Sequence, residues 1–153
     1  MGITALRRRD YLRAVVVQAQ HDGDAVAPWR SLGGALGTVD QHFLDEGELL
    51  VELHQEWLRA LVARLHRGEI VAQRTVANVR DLYDEVCADN PTLRSILDAN
   101  HAQPALWEPT GREHAMIARI AGLVVDDTST EDAAALGRAV VMQRIPVQRG
   151  ALV

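Results

Sequence analysis

The feature that most constrains the fold is a long amphipathic segment between residues 39 and 66. At ~100° per residue, apolar side chains recur on one arc and acidic side chains fall on the opposite side. The apolar arc contains Phe43, Leu44, Leu50, Val51, Trp57, Leu58, Leu61, Val62 and Leu65. The pattern predicts one helix over 39–66 that must bury a face against the rest of the chain.

Further segments with helical periodicity lie on both sides of this helix. The sequence predicts helices over 5–20, 69–88, 91–99, 111–125 and 130–143, with a short helix over 29–36 as an open alternative. Gly68 is a suitable residue to end the long helix, and Thr110 to Glu113 match a capping box. Residues 102–109 are interpreted as a loop, and 144–153 as a loose tail.

Composition supports a single all-α domain. The chain has 153 residues, 48% of them hydrophobic and 24% charged, which is typical of one globular domain. Ala, Leu and Val dominate the apolar residues, and they favour helices over strands as a group. We therefore predict one domain over 1–153, a bundle or orthogonal array of five or six helices.

Charge and cysteine content narrow the compartment and the partners. A formal net charge of −5 argues against general attraction to nucleic acid or an anionic membrane. A single cysteine, Cys87, fits a reducing compartment, and no apolar run approaches the ~20 residues that span a bilayer. The sequence thus predicts a cytoplasmic protein with no membrane association.

His54 is the residue that stands out, because it lies near the centre of the apolar arc of the 39–66 helix. A buried imidazole needs hydrogen-bond partners, so His54 is either a satisfied core residue or part of an interhelical pocket. Polar groups from other helices would have to converge on it, with Asn100 among the candidates. The ligand-binding set predicted on this basis is His54, Trp57, Tyr83, His101 and His114. Haem or a metal bound through His54 is a secondary alternative.

Motifs for other chemistry are absent from the sequence. Neither His-Glu-x-x-His nor Glu-x-x-His occurs, and the Gly-rich stretch 31–37 lacks the strand and lysine of a phosphate-binding loop. The pairs His42/Glu46 and Asp98/His101 are interpreted as surface residues. Cys87 has acidic neighbours and lies on an apolar arc, so we interpret it as a packing residue. No metal site and no catalytic residue is predicted, and the chain is expected not to be an enzyme.

Segregated charge and spare apolar surface suggest association. Residues 7–9 are three consecutive arginines, Arg7, Arg8 and Arg9, and form a basic segment. Residues 40–56, in contrast, carry six acids and no arginine. Leu49 and Leu53 fall outside the main arc of the long helix. The sequence therefore favours a non-enzymatic protein that forms a homodimer or binds a protein partner through these five residues. The alternatives are the small-ligand bundle built around His54 and a DNA-binding regulator that uses residues 7–13.

Overall fold

The computed structural model describes residues 2–67 and 75–142, without the side chains of residues 2–6 and 35. This described part contains six α-helices and no strand, which confirms the all-α prediction. The helices are α1 (Gly2–Asp22), α2 (Glu46–Arg67), α3 (Val76–Asp89), α4 (Pro91–Ala99), α5 (Pro104–Ile120) and α6 (Thr130–Met142). Short 3-10 helices span Pro28–Ser31, Gly34–Leu36 and Val39–Gln41 between α1 and α2. The predicted cap at Gly68, the helix start over 69–74 and the tail 144–153 lie outside the described residues.

Helix α2 is the centre of the fold and packs against α1, α3, α4 and α5. Its buried side chains are Leu49, Leu50, Leu53, His54, Trp57, Leu61 and Leu65. Burial of each large apolar side chain contributes about 1.5–3 kcal/mol, so this row supplies much of the driving force for folding. A helix with neighbours on several sides needs a wider apolar surface than one arc.

The long predicted helix begins later than its periodicity suggests. The Asp45 carboxylate accepts a hydrogen bond from the Glu48 backbone N–H at 2.8 Å, which is the geometry of an N-cap. The Glu48 carboxylate also accepts a hydrogen bond from the Leu44 backbone N–H, one residue before the cap, and so ties the preceding chain to the first turn. Leu44 therefore precedes the helix and is 86% exposed, so its assignment to the apolar arc was wrong.

Helix α5 begins before the predicted start and includes most of the predicted loop 102–109. Pro104 occupies the first turn, where its missing N–H leaves no hydrogen bond unmade. Pro109 lies in the second turn and removes only one hydrogen bond of the helix. The capping box predicted over Thr110 to Glu113 was therefore wrong. Thr110 and Glu113 both lie inside α5, and Glu113 is buried. The helix ends at Ile120, five residues before the predicted end at 125. Gly122 follows with a φ of +71°, which lets the Leu123 N–H bond the Ala118 carbonyl.

Helix α3 begins at Val76 and not at 69 as predicted, whereas α4 and α6 begin close to their predicted starts. Thr75 caps α3 by accepting a hydrogen bond from the Asn78 N–H at 3.2 Å. Ser129 caps α6, accepting from the Asp132 N–H at 3.1 Å. Helix α4 spans Pro91–Ala99, as predicted. Sequence signals located the starts of α4 and α6 well because such signals depend on neighbours in sequence alone, whereas the Thr75 cap was missed.

The basic start of the chain contacts the acidic region within one molecule. Arg8 on α1 forms an ion pair with Glu48 on α2 at 2.8 Å and donates to the His42 carbonyl at 2.7 Å. Arg7 and Arg9 remain exposed. Leu49 and Leu53 are 0% and 1% exposed, because the chain's own helices cover them. Leu49 therefore has no surface left for a second copy.

Helices α5 and α6 form the closest pair in the fold. A Cβ built on Gly137 of α6 would lie 1.6 Å from the His114 carbonyl oxygen of α5. Only glycine allows such a close approach of two backbones. This contact places the adjacent Arg138 beside α5.

None of the helices in the described part of the chain combines the length and the hydrophobicity needed to cross a bilayer.

Candidate functional site

The polar centre of the fold joins α2 to α5. The His54 Nε2 atom lies 2.7 Å from one carboxylate oxygen of Glu113, and the Trp57 indole N–H donates to the other at 3.1 Å. His54 and Glu113 are 3% and 2% exposed, and Trp57 is fully buried. The Trp57 ring therefore lies inside the core, and its polar atom meets Glu113.

The charge state of Glu113 determines the proton positions. Burial raises the pKa of this carboxyl group, but hydrogen bonds from His54 and Trp57 outweigh burial and hold the pKa below its ordinary value. A carboxylate only accepts hydrogen bonds, so the proton of the 2.7 Å bond belongs to His54 Nε2. His54 Nδ1 makes no hydrogen bond to any described residue. In the neutral ring this atom keeps its lone pair for another partner.

His54 and Glu113 line a cavity of about 700 Å³. Each surrounding helix contributes side chains at helical spacing. Helix α3 contributes Arg80, Tyr83, Asp84 and Cys87, and α4 with the turn after it contributes Arg94, Leu97, Asp98 and His101. Helix α5 contributes Leu106, Thr110, Glu113 and His114, and α6 contributes Arg138, Val141 and Met142. The spacings i, i+3, i+4 and i+7 keep such residues on one helix face, so five helices enclose a single polar space.

Arg94 and Tyr83 form one wall of the cavity against Trp57. The Arg94 guanidinium lies 4.8 Å from the Trp57 ring centroid and forms an ion pair with Asp98 at 2.7 Å. The Tyr83 ring meets the Trp57 ring edge to face, with centroids 5.6 Å apart. Burial and the nearby Glu113 carboxylate raise the pKa of Tyr83, so its hydroxyl is protonated near neutral pH. Trp57 is thereby held on both sides.

The two other histidines of the cavity have different surroundings. His101 Nδ1 lies 2.8 Å from the Asp98 carbonyl oxygen, which can only accept, so this atom carries the proton. His114 is half-buried on α5. Burial lowers its pKa most, and the positive charges of Arg138 and Arg94 lower it further, against an opposing effect of Glu113. The His114 imidazole is therefore neutral at neutral pH.

The lining lacks an activated nucleophile among the described residues. Burial raises the pKa of the Cys87 thiol to about 11, with further upward contributions from Asp84 and Asp98, while Arg94 opposes the shift. The thiolate is the reactive form, so Cys87 is unreactive at neutral pH. No group of three or more metal-ligating side chains with suitable geometry occurs in the described ranges. Asp98 and His101 both face the cavity without such a third ligand.

Four of the five predicted ligand-binding residues lie on this cavity, namely His54, Tyr83, His101 and His114. Trp57 does not line the cavity, but its indole N–H donates a hydrogen bond to Glu113, which does. Asn100 does not join them, because its side-chain amide donates to the carbonyls of Val26 and Ile96 at 2.9 Å each.

Sequence reasoning missed Glu113, Arg80, Arg94 and Arg138. Glu113 was assigned to a helix cap. A detectable signal existed in the charged pairs at i and i+4, Arg80 with Asp84 on α3 and Arg94 with Asp98 on α4. Periodicity alone does not say which helix faces such a pair.

No protein-family model, curated protein or solved structure matches the chain.

Proposed function

We propose that this protein binds a small organic molecule in the cavity between α2 and α6, with His54 as its central polar contact. The observation that carries the proposal is the buried Glu113 carboxylate, which holds His54 at the wall of a cavity of about 700 Å³. Ligand sites in proteins are concave spaces of about 300–1,000 Å³ with a few polar groups at set positions.

The energetic cost of burying a carboxylate favours a functional role for Glu113. Desolvation of a buried ion costs several kcal/mol, and apolar replacements of buried ionic groups are often neutral or stabilising. A core that needed only stability would not require a carboxylate here. The carboxylate instead fixes the tautomer and orientation of His54, as carboxylates bonded to functional histidines do.

Binding is better supported than catalysis. Tyr83 and Cys87 are both protonated near neutral pH, because burial raises their pKa values. The cavity also has an apolar portion from Leu97, Leu106 and Val141. Such a mixture suits a molecule with one polar end and one apolar end.

A cavity-filling variant tests the proposal. Thr110→Phe places a ring in the cavity, and Ser95→Phe adds the same ring on the exposed side of α4 as a control. Small organic acids, amides and alcohols are added to ¹⁵N-labelled protein, and backbone amide shifts are recorded. We expect saturable shifts around the cavity in the wild type and Ser95→Phe, and none in Thr110→Phe. The absence of such shifts in the wild type, or their persistence in folded Thr110→Phe, would contradict the proposal.

Self-association is a second candidate, supported by a separate groove of about 640 Å³ between α1, α2 and α4. Its walls are mainly apolar, from Leu12, Val16, Val17, Leu53 and Leu93. Arg9 and Arg13 lie on α1 and Glu56 lies on α2, so a two-fold arrangement of two copies would bring opposite charges together.

Light scattering at low salt distinguishes this candidate. Val17 is 63% exposed, and Val17→Arg should convert a dimer to a monomer. Val125→Arg, at a site 76% exposed and outside the groove, should leave a dimer intact. A monomeric mass for the wild-type protein at micromolar concentration would refute the homodimer.

A further inference from the structure

The cations of the cavity are unequally engaged. Arg94 is occupied by Asp98 and by the Trp57 ring. Arg80 on α3 and Arg138 on α6 line the same cavity, and neither forms a hydrogen bond or ion pair with any residue in 2–67 or 75–142. Two guanidinium groups from two helices are thus available to a ligand.

The anions of the cavity are mostly engaged. Glu113 accepts hydrogen bonds from His54 and Trp57, and Asp98 pairs with Arg94. Asp84 is the one lining carboxylate without a partner among the described residues, and it is exposed. The groups left to meet a ligand therefore comprise two cations and one exposed anion.

The position of Arg138 is set by the backbone contact beside it. Gly137 lets α6 approach the His114 carbonyl of α5 more closely than any other residue would. Arg138 follows Gly137 directly in α6, so its backbone lies beside α5, and its side chain lines the cavity together with His114. This arrangement comes from helix packing and not from a flexible loop.

We infer that the ligand of this cavity is a small organic carboxylate, whose anionic group is bound by Arg80 and Arg138 and whose apolar body lies along Leu97, Leu106 and Val141. The inference rests on the proposed function and names the class of ligand. Guanidinium forks match carboxylate and phosphate geometry alike. A single negative charge is favoured here over the double charge of a phosphate monoester, because Asp84, Asp98 and Glu113 line the same cavity from three helices and repel added negative charge.

His54 adds a second requirement. The Glu113 carboxylate only accepts, so Nε2 carries a proton, and Nδ1 accepts a hydrogen bond in the neutral form of the ring. A carboxylate that also carries a hydroxyl or amide N–H would satisfy both the arginines and His54. A carboxylate without such a donor should bind more weakly.

Matched acid and amide pairs test the ligand class. The probes are benzoate with benzamide, phenylacetate with phenylacetamide, and mandelate with mandelamide, together with phenyl phosphate; mandelate is phenylacetate with a hydroxyl group that can donate to His54. Amide shifts of the ¹⁵N-labelled protein give the dissociation constants. We expect at least one acid to bind at the cavity at least about tenfold more tightly than its amide. The reason is that the acid accepts hydrogen bonds through a charged group and the amide does not. Its affinity should fall as NaCl is raised.

Arginine variants assign the binding to the proposed residues. Arg80→Gln and Arg138→Gln should each reduce the binding affinity for the acid by about tenfold. Arg119→Gln, on the exposed side of α5 and outside the cavity, should leave its affinity unchanged.

Each outcome bears on a distinct claim. Amides that bind at the cavity as tightly as their acids, or acid binding that survives both arginine variants, would overturn the carboxylate inference while leaving the cavity as a ligand site. Tighter binding of phenyl phosphate than of every acid would replace carboxylate by phosphate. If no probe shifts the residues that line the cavity, the proposed function itself fails.

Discussion

Replacement of Glu113 by glutamine removes one charge from the core and almost no volume. In the wild type the carboxylate accepts hydrogen bonds from both His54 and Trp57. The glutamine side chain accepts one bond through its carbonyl and donates through its amide. Because Trp57 only donates, the amide must face His54, and the imidazole proton must move from Nε2 to Nδ1.

The energetic consequence follows from the number of charged hydrogen bonds. Two bonds to a charged acceptor, at about 1.5–3 kcal/mol each, become two neutral bonds at about 0.5–1.5 kcal/mol each. Glu113 is 2% exposed, so water screens little of this difference. We expect Glu113→Gln to lose about 2–3 kcal/mol of unfolding free energy at neutral pH. Glu113→Ala leaves both donors without an acceptor and should lose about 3–5 kcal/mol.

The pH dependence separates this charge effect from a simple packing defect. The folded-state pKa of Glu113 lies below its ordinary value of 4.5, so the unfolded chain takes up the proton first as pH falls. The contribution of Glu113 to stability is therefore fully present above about pH 4.5 and decreases below it. The stability gap between wild type and Glu113→Gln should narrow in the same range.

Urea denaturation at several pH values measures both effects. Glu108→Gln is the matched control, because Glu108 lies on the exposed side of α5 and pairs only with Arg112. The control should change stability by less than about 0.5 kcal/mol. Equal stability of Glu113→Gln and the wild type, or a gap that does not narrow in acid, would refute the assignment of a buried carboxylate.

Three further predictions test the packing and the cavity. Gly137→Ala should destabilise by about 1–3 kcal/mol because its Cβ meets the His114 carbonyl, whereas Gly111→Ala, with open space around it, should stabilise by about 0.5–1 kcal/mol; thermal unfolding compares them. Leu49→Ala should cost about 2.7–5 kcal/mol in urea denaturation, and Leu44→Ala almost nothing; equal costs would contradict the late start of α2. Alkylation of Cys87 by iodoacetamide should be slow at neutral pH and accelerate up to about pH 11, and a fast neutral reaction would contradict the buried thiol.

Local chemistry explains which parts of the fold could be predicted. The starts of α4 and α6 depend on Pro91 and Ser129 respectively, and each residue acts only within the first turn of its helix. The same reasoning failed at Thr110, where a capping pattern occurs inside a helix that Pro104 had already begun. A cap motif does not reveal whether the helix extends upstream.

The candidate site was predictable in part for a related reason. Periodicity placed His54 on the buried face of α2, and burial implied that it needs a partner. Glu113 lies 59 positions away, and its contact depends on how α5 crosses α2. The charged pairs on α3 and α4 were visible as spacing, but only the tertiary arrangement directs Arg80 and Arg94 toward one cavity.

The long-range ¹H–¹⁵N spectrum of the imidazole rings tests most directly the claim that Glu113 presents His54 to a ligand. The spectrum is recorded for the free protein and with the tightest-binding carboxylate probe. We predict that His54 carries a proton on Nε2 in the free protein, that its Nδ1 signal moves on binding, and that exposed His21 is unaffected. A His54 without a proton on Nε2, or one whose signals stay fixed while the probe saturates the protein, would contradict the account.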